Sequence, residues 1–147
     1  MRFSAKTRYG LLALMDMAIQ LEANATQRLT THDIAARQGI PERFLEQQIT
    51  ALKNAGLVLS HRGAAGGCTL ARRADEITVL QVIEALEGSP LELEPTEGGD
   101  QESSQAIREV WEQARLALTE LFTGMTIASL ATRERELQDK ATVMFYV

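Results

Sequence analysis

The sequence is short of the materials for several kinds of site. It has one cysteine, Cys68, among 147 residues. A single thiol excludes an intrachain disulfide and cannot supply an all-cysteine metal or cluster site within one chain. No apolar run approaches the length of a membrane span, and no charged start leads into an apolar segment of the kind that directs secretion. The expectation is a cytoplasmic protein that makes no membrane contact. Positive charge is not in excess either: 15 Lys/Arg stand against 20 Asp/Glu, for a formal net charge of −5. Taken over the whole chain, that balance argues against a polyanionic partner.

The distribution of charge reverses this. Residues 1–73 hold 10 Lys/Arg and 5 Asp/Glu, whereas residues 74–147 hold 5 and 15. A basic front and an acidic back suit a protein that meets phosphates with one half only. At 45% hydrophobic and 24% charged residues the chain can fold and stay in solution. Its length fits one domain, or a small domain with an appended element.

The stretch from Thr31 to Ala71 organises the rest. Thr30, Thr31 or Asp33 can cap a first helix, Ile34-Ala35-Ala36 gives it a small apolar face, and Gly39 suits the left-handed closing residue. Pro41 restarts the chain in a first helical turn. Phe44, Leu45, Ile49 and Leu52, with Leu57 beyond them, predict one buried stripe, which leaves Arg43, Glu46, Gln47, Thr50 and Lys53 outside. Gly56 stops this helix. Residues 57–62 are strand-like, 63–67 make a glycine-rich turn, and 68–71 pair back. Helix, turn, helix and ribbon in this order predict a winged helix-turn-helix, mainly α with a small β-wing, whose second helix enters a DNA major groove.

Before this stretch, Phe3 to Leu21 predicts a helix apolar on more than one face and so buried by more than one partner. Ser4 is its candidate cap, and Lys6 and Arg8 lie in its first turns. After the wing, Thr78 caps a helix over residues 79–86, with Gly88 and Pro90 as stop signals. Residues 89–102 are acidic, contain glycine and show no period, which predicts a mobile loop. A long helix from Ser103 to about Phe122 follows, with Ile107, Val110, Trp111, Ala114, Leu118, Leu121, Phe122 and Met125 as its stripe. A small domain cannot cover so long a stripe alone, and pairing with the same helix of a second subunit predicts a homodimer. The chain then gives a short helix at Thr126–Leu130, a charged stretch at Arg133–Lys140, and an apolar end. The expected division is a DNA-binding domain at 1–88 with its wing at 57–71, the loop at 89–102, and a dimerisation helix with a tail at 103–147.

Several of these residues occur together in a known order. The opening Met1-Arg2-Phe3-Ser4-x-Lys6-x-Arg8-Tyr9-Gly10 is joined by Phe44-Leu45-Glu46-Gln47, Gly56-Leu57-Val58, the wing Arg62-Gly63-x-x-Gly66-Gly67, and Leu86-Glu87-Gly88. The set resembles the Rrf-two family of bacterial winged helix-turn-helix transcription regulators, over essentially the whole chain. Cluster-binding members carry three cysteines between the fourth helix and the dimer helix, and residues 91–111 here contain none. The family's last cysteine and a histidine would fall near Gln105 and Arg108, and the acidic ligand used by its nitric-oxide sensors would fall on Arg8. The resemblance therefore implies a regulator without an iron–sulfur cluster, similar to the family's cysteine-metabolism repressors, which also lack the cysteines.

On this basis Arg43, Glu46 and Gln47 are candidate base-reading residues. Arginine pairs bidentately with guanine, glutamine pairs with adenine, and glutamate accepts from cytosine. Arg62 resembles the family's wing arginine, and a narrow minor groove attracts such a cation. Lys6, Arg8, Thr31 and Lys53 are candidate phosphate contacts, which position without specifying. Cys68, with His61 on the opposing strand, admits a redox reading beside the plainer one of a half-buried strand residue. No acyl-binding pocket or oxyanion motif accompanies the pair, so the chain offers no enzyme constellation. A winged helix used for protein contacts remains the other class of function. Finally, Phe145, Tyr146 and Val147 end the chain in an apolar peptide. The plain reading is that this tail packs against its own dimer or the DNA-binding core; by resemblance to the cysteine-metabolism repressors, it implies instead cysteine synthase as a partner that would capture its terminal carboxylate.

Overall fold

The greasy first helix is the axis on which the rest is assembled. The structure, a computed structural model, describes residues 3–89 and 104–146. Its elements are α1 (Ala5–Ala23), α2 (Thr31–Gln38), α3 (Glu42–Asn54), β1 (Val58–His61), β2 (Gly67–Leu70), α4 (Val79–Glu87), α5 (Gln105–Gly124) and α6 (Ile127–Phe145), with a 3-10 turn at Ala74–Glu76. α1 touches α2, α3, α4, α6 and β2, which is why its apolar residues are not confined to one stripe. Ala13, Leu14 and Met17 at its centre are wholly buried. Gly10 lets α4 approach: a Cβ there would sit 2.3 Å from Leu86 Cδ1.

Ser4 takes the capping position of α1 without capping it. Its hydroxyl is drawn instead to the carboxylate of Glu87 at the end of α4, to which Thr7 Oγ1 also donates at 2.6 Å. The other local signals act as their chemistry dictates. Thr30 Oγ1 accepts from Asp33 N–H at 3.1 Å and caps α2. Gly39 closes α2 in the left-handed region at φ 63°, a conformation that a Cβ would strain. α3 then buries Leu45, Gln48, Ile49 and Leu52. Phe44 departs from the expected stripe. It immediately precedes Leu45, so the two cannot share a helix face, and Phe44 is 52% exposed.

The wing pairs Val58 with Leu70 and His61 with Gly67 in antiparallel register. Leu29 bridges β2 from outside this ladder: its N–H donates to Cys68 O at 3.0 Å, and Cys68 N–H donates to Leu29 O at 2.6 Å. A similar device joins the C-terminal half to the core. Thr78 and Thr126 form an antiparallel bridge, flanked by Val79 N–H to Met125 O and Ile127 N–H to Ile77 O, each 2.9 Å. The same two threonines cap α4 and α6 through capping boxes with Gln81 and Ser129.

From that bridge α6 runs back along α1, burying Ile127 and Ala131 and pairing Arg135 with Glu22. It is one helix of 19 residues, where the sequence suggests a short helix followed by a charged stretch. Nothing after Gly124 breaks it, because glycine and proline are absent there. The charged stretch supports the helix through pairs one turn apart, Arg133–Glu136 at 3.1 Å and Gln138–Glu134 at 2.8 Å. The expected acidic loop lies almost wholly in residues 90–103, outside the described residues.

Candidate nucleic-acid interface

The outward face of α3 is set by its inward one. With Leu45, Gln48, Ile49 and Leu52 turned to the core, Arg43, Glu46, Gln47, Thr50 and Lys53 are all exposed. Thr50 presents little hydrogen-bonding capacity, because its hydroxyl donates to Glu46 O at 2.9 Å. Arg43, Glu46 and Gln47 stand in the first half of the helix, the end that meets base edges in helix-turn-helix docking.

The first turns of α2 and α3 lie side by side: His32 Nδ1 is 2.9 Å from Glu42 Oε2, and this carboxylate raises the His32 pKa above its ordinary 6.5. Thr31, half-buried at the head of α2, is thereby placed next to the start of α3. Lys53 lies in the last turn of α3, near enough to the wing for its charge to act on Cys68. Arg62 is exposed just beyond β1. The wing tip is itself held from outside, since Arg28 Nη1 donates to Ala65 O at 3.3 Å. Lys6 and Arg8 sit elsewhere, on the α4 side of α1. The charge of Lys6 acts on Glu87, and Arg8 lines an apolar cavity of about 610 Å³ with Tyr9, Met15, Ile83, Phe122 and Leu130.

Two apolar side chains on this surface are exposed: Phe44 on α3, which the sequence assigns to the buried stripe, and Leu59 on β1 at 49% exposure, which the sequence does not single out. Their signal was present: each adjoins a residue of the buried set, and only one of two consecutive residues can face the core.

Cys68 is buried, with 7% of its surface exposed. Burial pushes its thiol above the ordinary 9.0, with a Ser60 hydrogen bond and the Lys53 charge acting in the opposite sense. Its cross-strand partner is Ser60, whereas His61 Nε2 lies 2.9 Å from Thr69 Oγ1. The thiol and the imidazole are thus engaged separately.

α5 completes the picture. None of its residues is buried, and Ile107, Val110, Trp111, Leu121 and Met125 are between 39% and 60% exposed along one face, with Ala114 exposed and Leu118 half-buried between them. Phe122 is the exception, since its ring packs edge-on to Phe3 of the same chain with centroids 5.7 Å apart. Leu116, 53% exposed, lies on the opposite face. At the positions where cluster-binding relatives would place ligands, Gln105 Nε2 donates to Glu109 at 3.0 Å. Among the described residues no three His, Cys, Asp or Glu side chains converge on a metal position, and no helix is long and apolar enough to cross a membrane.

A helix-turn-helix with a polar outward recognition helix, flanked by a wing with an exposed arginine, defines a winged-helix transcription regulator. The comparisons agree. Residues 3–133 match the Rrf2 family, described as "Iron-dependent Transcriptional regulator", and the chain belongs to that family. The HTH-type transcriptional regulator CymR of Bacillus subtilis is 36% identical over 149 residues, covering 100% of both chains. The solved structure of CymR, the global cysteine regulator of B. subtilis, superposes with a TM-score of 0.76 at 34% identity, covering 90% of this chain and 98% of that one. That of T. potens IscR gives 0.75 at 34% identity, covering 94% and 91%. These relatives are transcription regulators, not enzymes.

Proposed function

We propose that the protein is a cytoplasmic, homodimeric, sequence-specific DNA-binding repressor that works without an iron–sulfur cluster and controls genes of cysteine or sulfur metabolism. The observation that supports the DNA reading is the outward set Arg43, Glu46 and Gln47 on α3, beside the exposed Arg62 of the wing. Thr31 and Lys53 flank that set as phosphate contacts, and Lys6 and Arg8 would extend the contact from α1. Support for the homodimer is the uncovered stripe of α5, because a face of this size in water is a docking surface. The clusterless reading rests on donor chemistry. One cysteine, on the wing, cannot replace a multi-thiolate ligand set, even though the family is described as iron-dependent. The assignment to cysteine metabolism rests on similarity to CymR alone.

The test is selection of a duplex from a random pool, followed by titration across salt concentrations. A regulator should enrich one pseudo-palindrome with half-sites about one duplex turn apart, and affinity should fall steeply with salt while surviving competitor DNA. Arg43→Ala, Glu46→Ala and Gln47→Ala should each change which bases matter, by about 1–3 kcal/mol, while Lys53→Ala should weaken all sequences alike and lower the salt slope. Enrichment of nothing would favour a winged helix used for protein contacts instead.

Two finer readings concern the signal. A redox role for Cys68 is disfavoured by its burial and raised pKa, which suppress the reactive thiolate. The tail fares better. Met144, Phe145 and Tyr146 are more than 80% exposed, although α6 extends to Phe145, so capture of the terminal peptide by cysteine synthase requires the last turn to unwind. Val147 lies outside the described residues. Ending the chain at Thr142 should abolish binding to that enzyme, and equal binding by both forms would refute the tail's part in it.

A further inference from the structure

The side chain of Phe44 has no role in the fold that its size would justify. The other large apolar residues of α3 are covered, Leu45 and Leu52 completely and Ile49 to 6% exposure, while Phe44 stays 52% exposed. Among the described residues its ring makes no aromatic contact, the only such pair being Phe3 with Phe122. Its backbone is engaged, the N–H donating to Pro41 O at 3.0 Å and the carbonyl accepting from Gln48 Nε2 at 3.4 Å. The ring stands in the first turn of the recognition helix, next to Arg43 and one helical turn before Gln47, both exposed.

We propose that Phe44 is a specificity-determining residue that reads thymine, its ring covering the 5-methyl group of one thymine in each half-site. The inference rests on the reading of α3 as the DNA-reading helix and deepens it. The chemistry of the groove selects the occupant. Along the major-groove edges of the four bases the thymine methyl is the one apolar group, and everything else there donates or accepts hydrogen bonds. A ring pressed on a guanine or cytosine edge would leave those groups buried and unpaired, which is unfavourable. A second copy of the chain is a poor occupant for the same reason. Covering Phe44 with protein would also bury Arg43, Glu46 and Gln47, whereas the apolar face suited to self-association is on α5.

The experiment uses the full-length protein and the duplex it enriches from a random pool. Thymines of each half-site are replaced one at a time by deoxyuridine, which removes the methyl and nothing else, and binding is followed by fluorescence anisotropy at fixed salt. For the wild type, one position per half-site should lose about fourfold in affinity, and about fifteenfold when both half-sites are changed, the equivalent of roughly 0.8 kcal/mol per methyl. Phe44→Ala should bind the thymine duplex more weakly and show no further loss with uracil. Phe44→Leu, which keeps an apolar side chain, should retain part of the discrimination and covers the case of an Ala variant that folds poorly. The proposal is overturned if no uracil substitution affects the wild type, or if Phe44→Ala keeps the wild-type sensitivity to uracil. Failure to enrich any duplex is a different result: it removes the DNA reading, and this inference with it.

Discussion

Arg37 grips the buried carboxylate of Asp16 at two points, with Nη2 2.8 Å from Oδ2 and Nε 3.0 Å from Oδ1. Gln38 Nε2 donates to the same Oδ1 at 3.0 Å. The Asp16 side chain is 3% exposed and that of Arg37 34% exposed. This fork ties the last turn of α2 to the middle of α1, and α2 in turn carries the start of α3 through the Gly39 turn. The angle at which the recognition helix leaves the core therefore depends on a polar contact one helix removed from it.

The exposures make the two partners unequal. Arg37→Ala leaves a buried carboxylate with only Gln38 and should destabilise the fold by about 3–5 kcal/mol. Asp16→Ala leaves a guanidinium that water can reach, and should cost about 1.5–3 kcal/mol. The double variant should be less unstable than the sum of the two, which chemical denaturation would show. Equal single effects that simply add would mean that the contact is not a coupled pair.

In the C-terminal half, a charge in the α5 stripe should break the proposed dimer. Leu118→Glu or Leu121→Glu is expected to give monomers that keep their helical content and lose DNA affinity. Trp111, the one tryptophan and 53% exposed in a single chain, reports the same event. Its emission should shift to the red on dilution of the wild type. A wild-type protein that light scattering shows to be monomeric at micromolar concentration would refute the pairing.

Glu87 supplies a pH dependence. The hydroxyls of Ser4 and then Thr7 hold its carboxyl below the ordinary 4.5. A carboxyl with a depressed folded-state pKa adds stability at pH above its unfolded value, and that stability is lost as pH falls through the folded value. Thr7→Val should thus destabilise the protein more at pH 7 than at pH 3, in matched urea titrations. An effect independent of pH would assign Thr7 to packing alone.

Protein purified without oxygen should be colourless, with no charge-transfer bands between about 320 and 450 nm, as expected where thiolate ligands are lacking. Stoichiometric iron and sulfide that persist in Cys68→Ala would require a ligand set of another chemistry.

Much of the architecture is written in short-range signals. Thr30, Gly39, Gly56 and Thr78 act through their own backbone and their immediate neighbours, so the helix-turn-helix, its boundaries and the hairpin after it are legible from local chemistry. The polar positions of α3 and the apolar stripe of α5 follow from helical periodicity alone. What sequence could not settle are contacts between residues far apart in the chain. Ser4, a cap by position, is claimed by Glu87 83 residues away, and the buried Cys68 is bridged through its backbone to Leu29, far from it in the chain. Thr126 starts α6 against Thr78, and the fork on Asp16 has no signature in spacing. Phe44 marks the border between the two. Composition placed an aromatic beside Leu45, but which of two adjacent residues faces the core depends on the rotation of α3 about its axis. That rotation is decided only when α1, α2, α4 and β1 close around it.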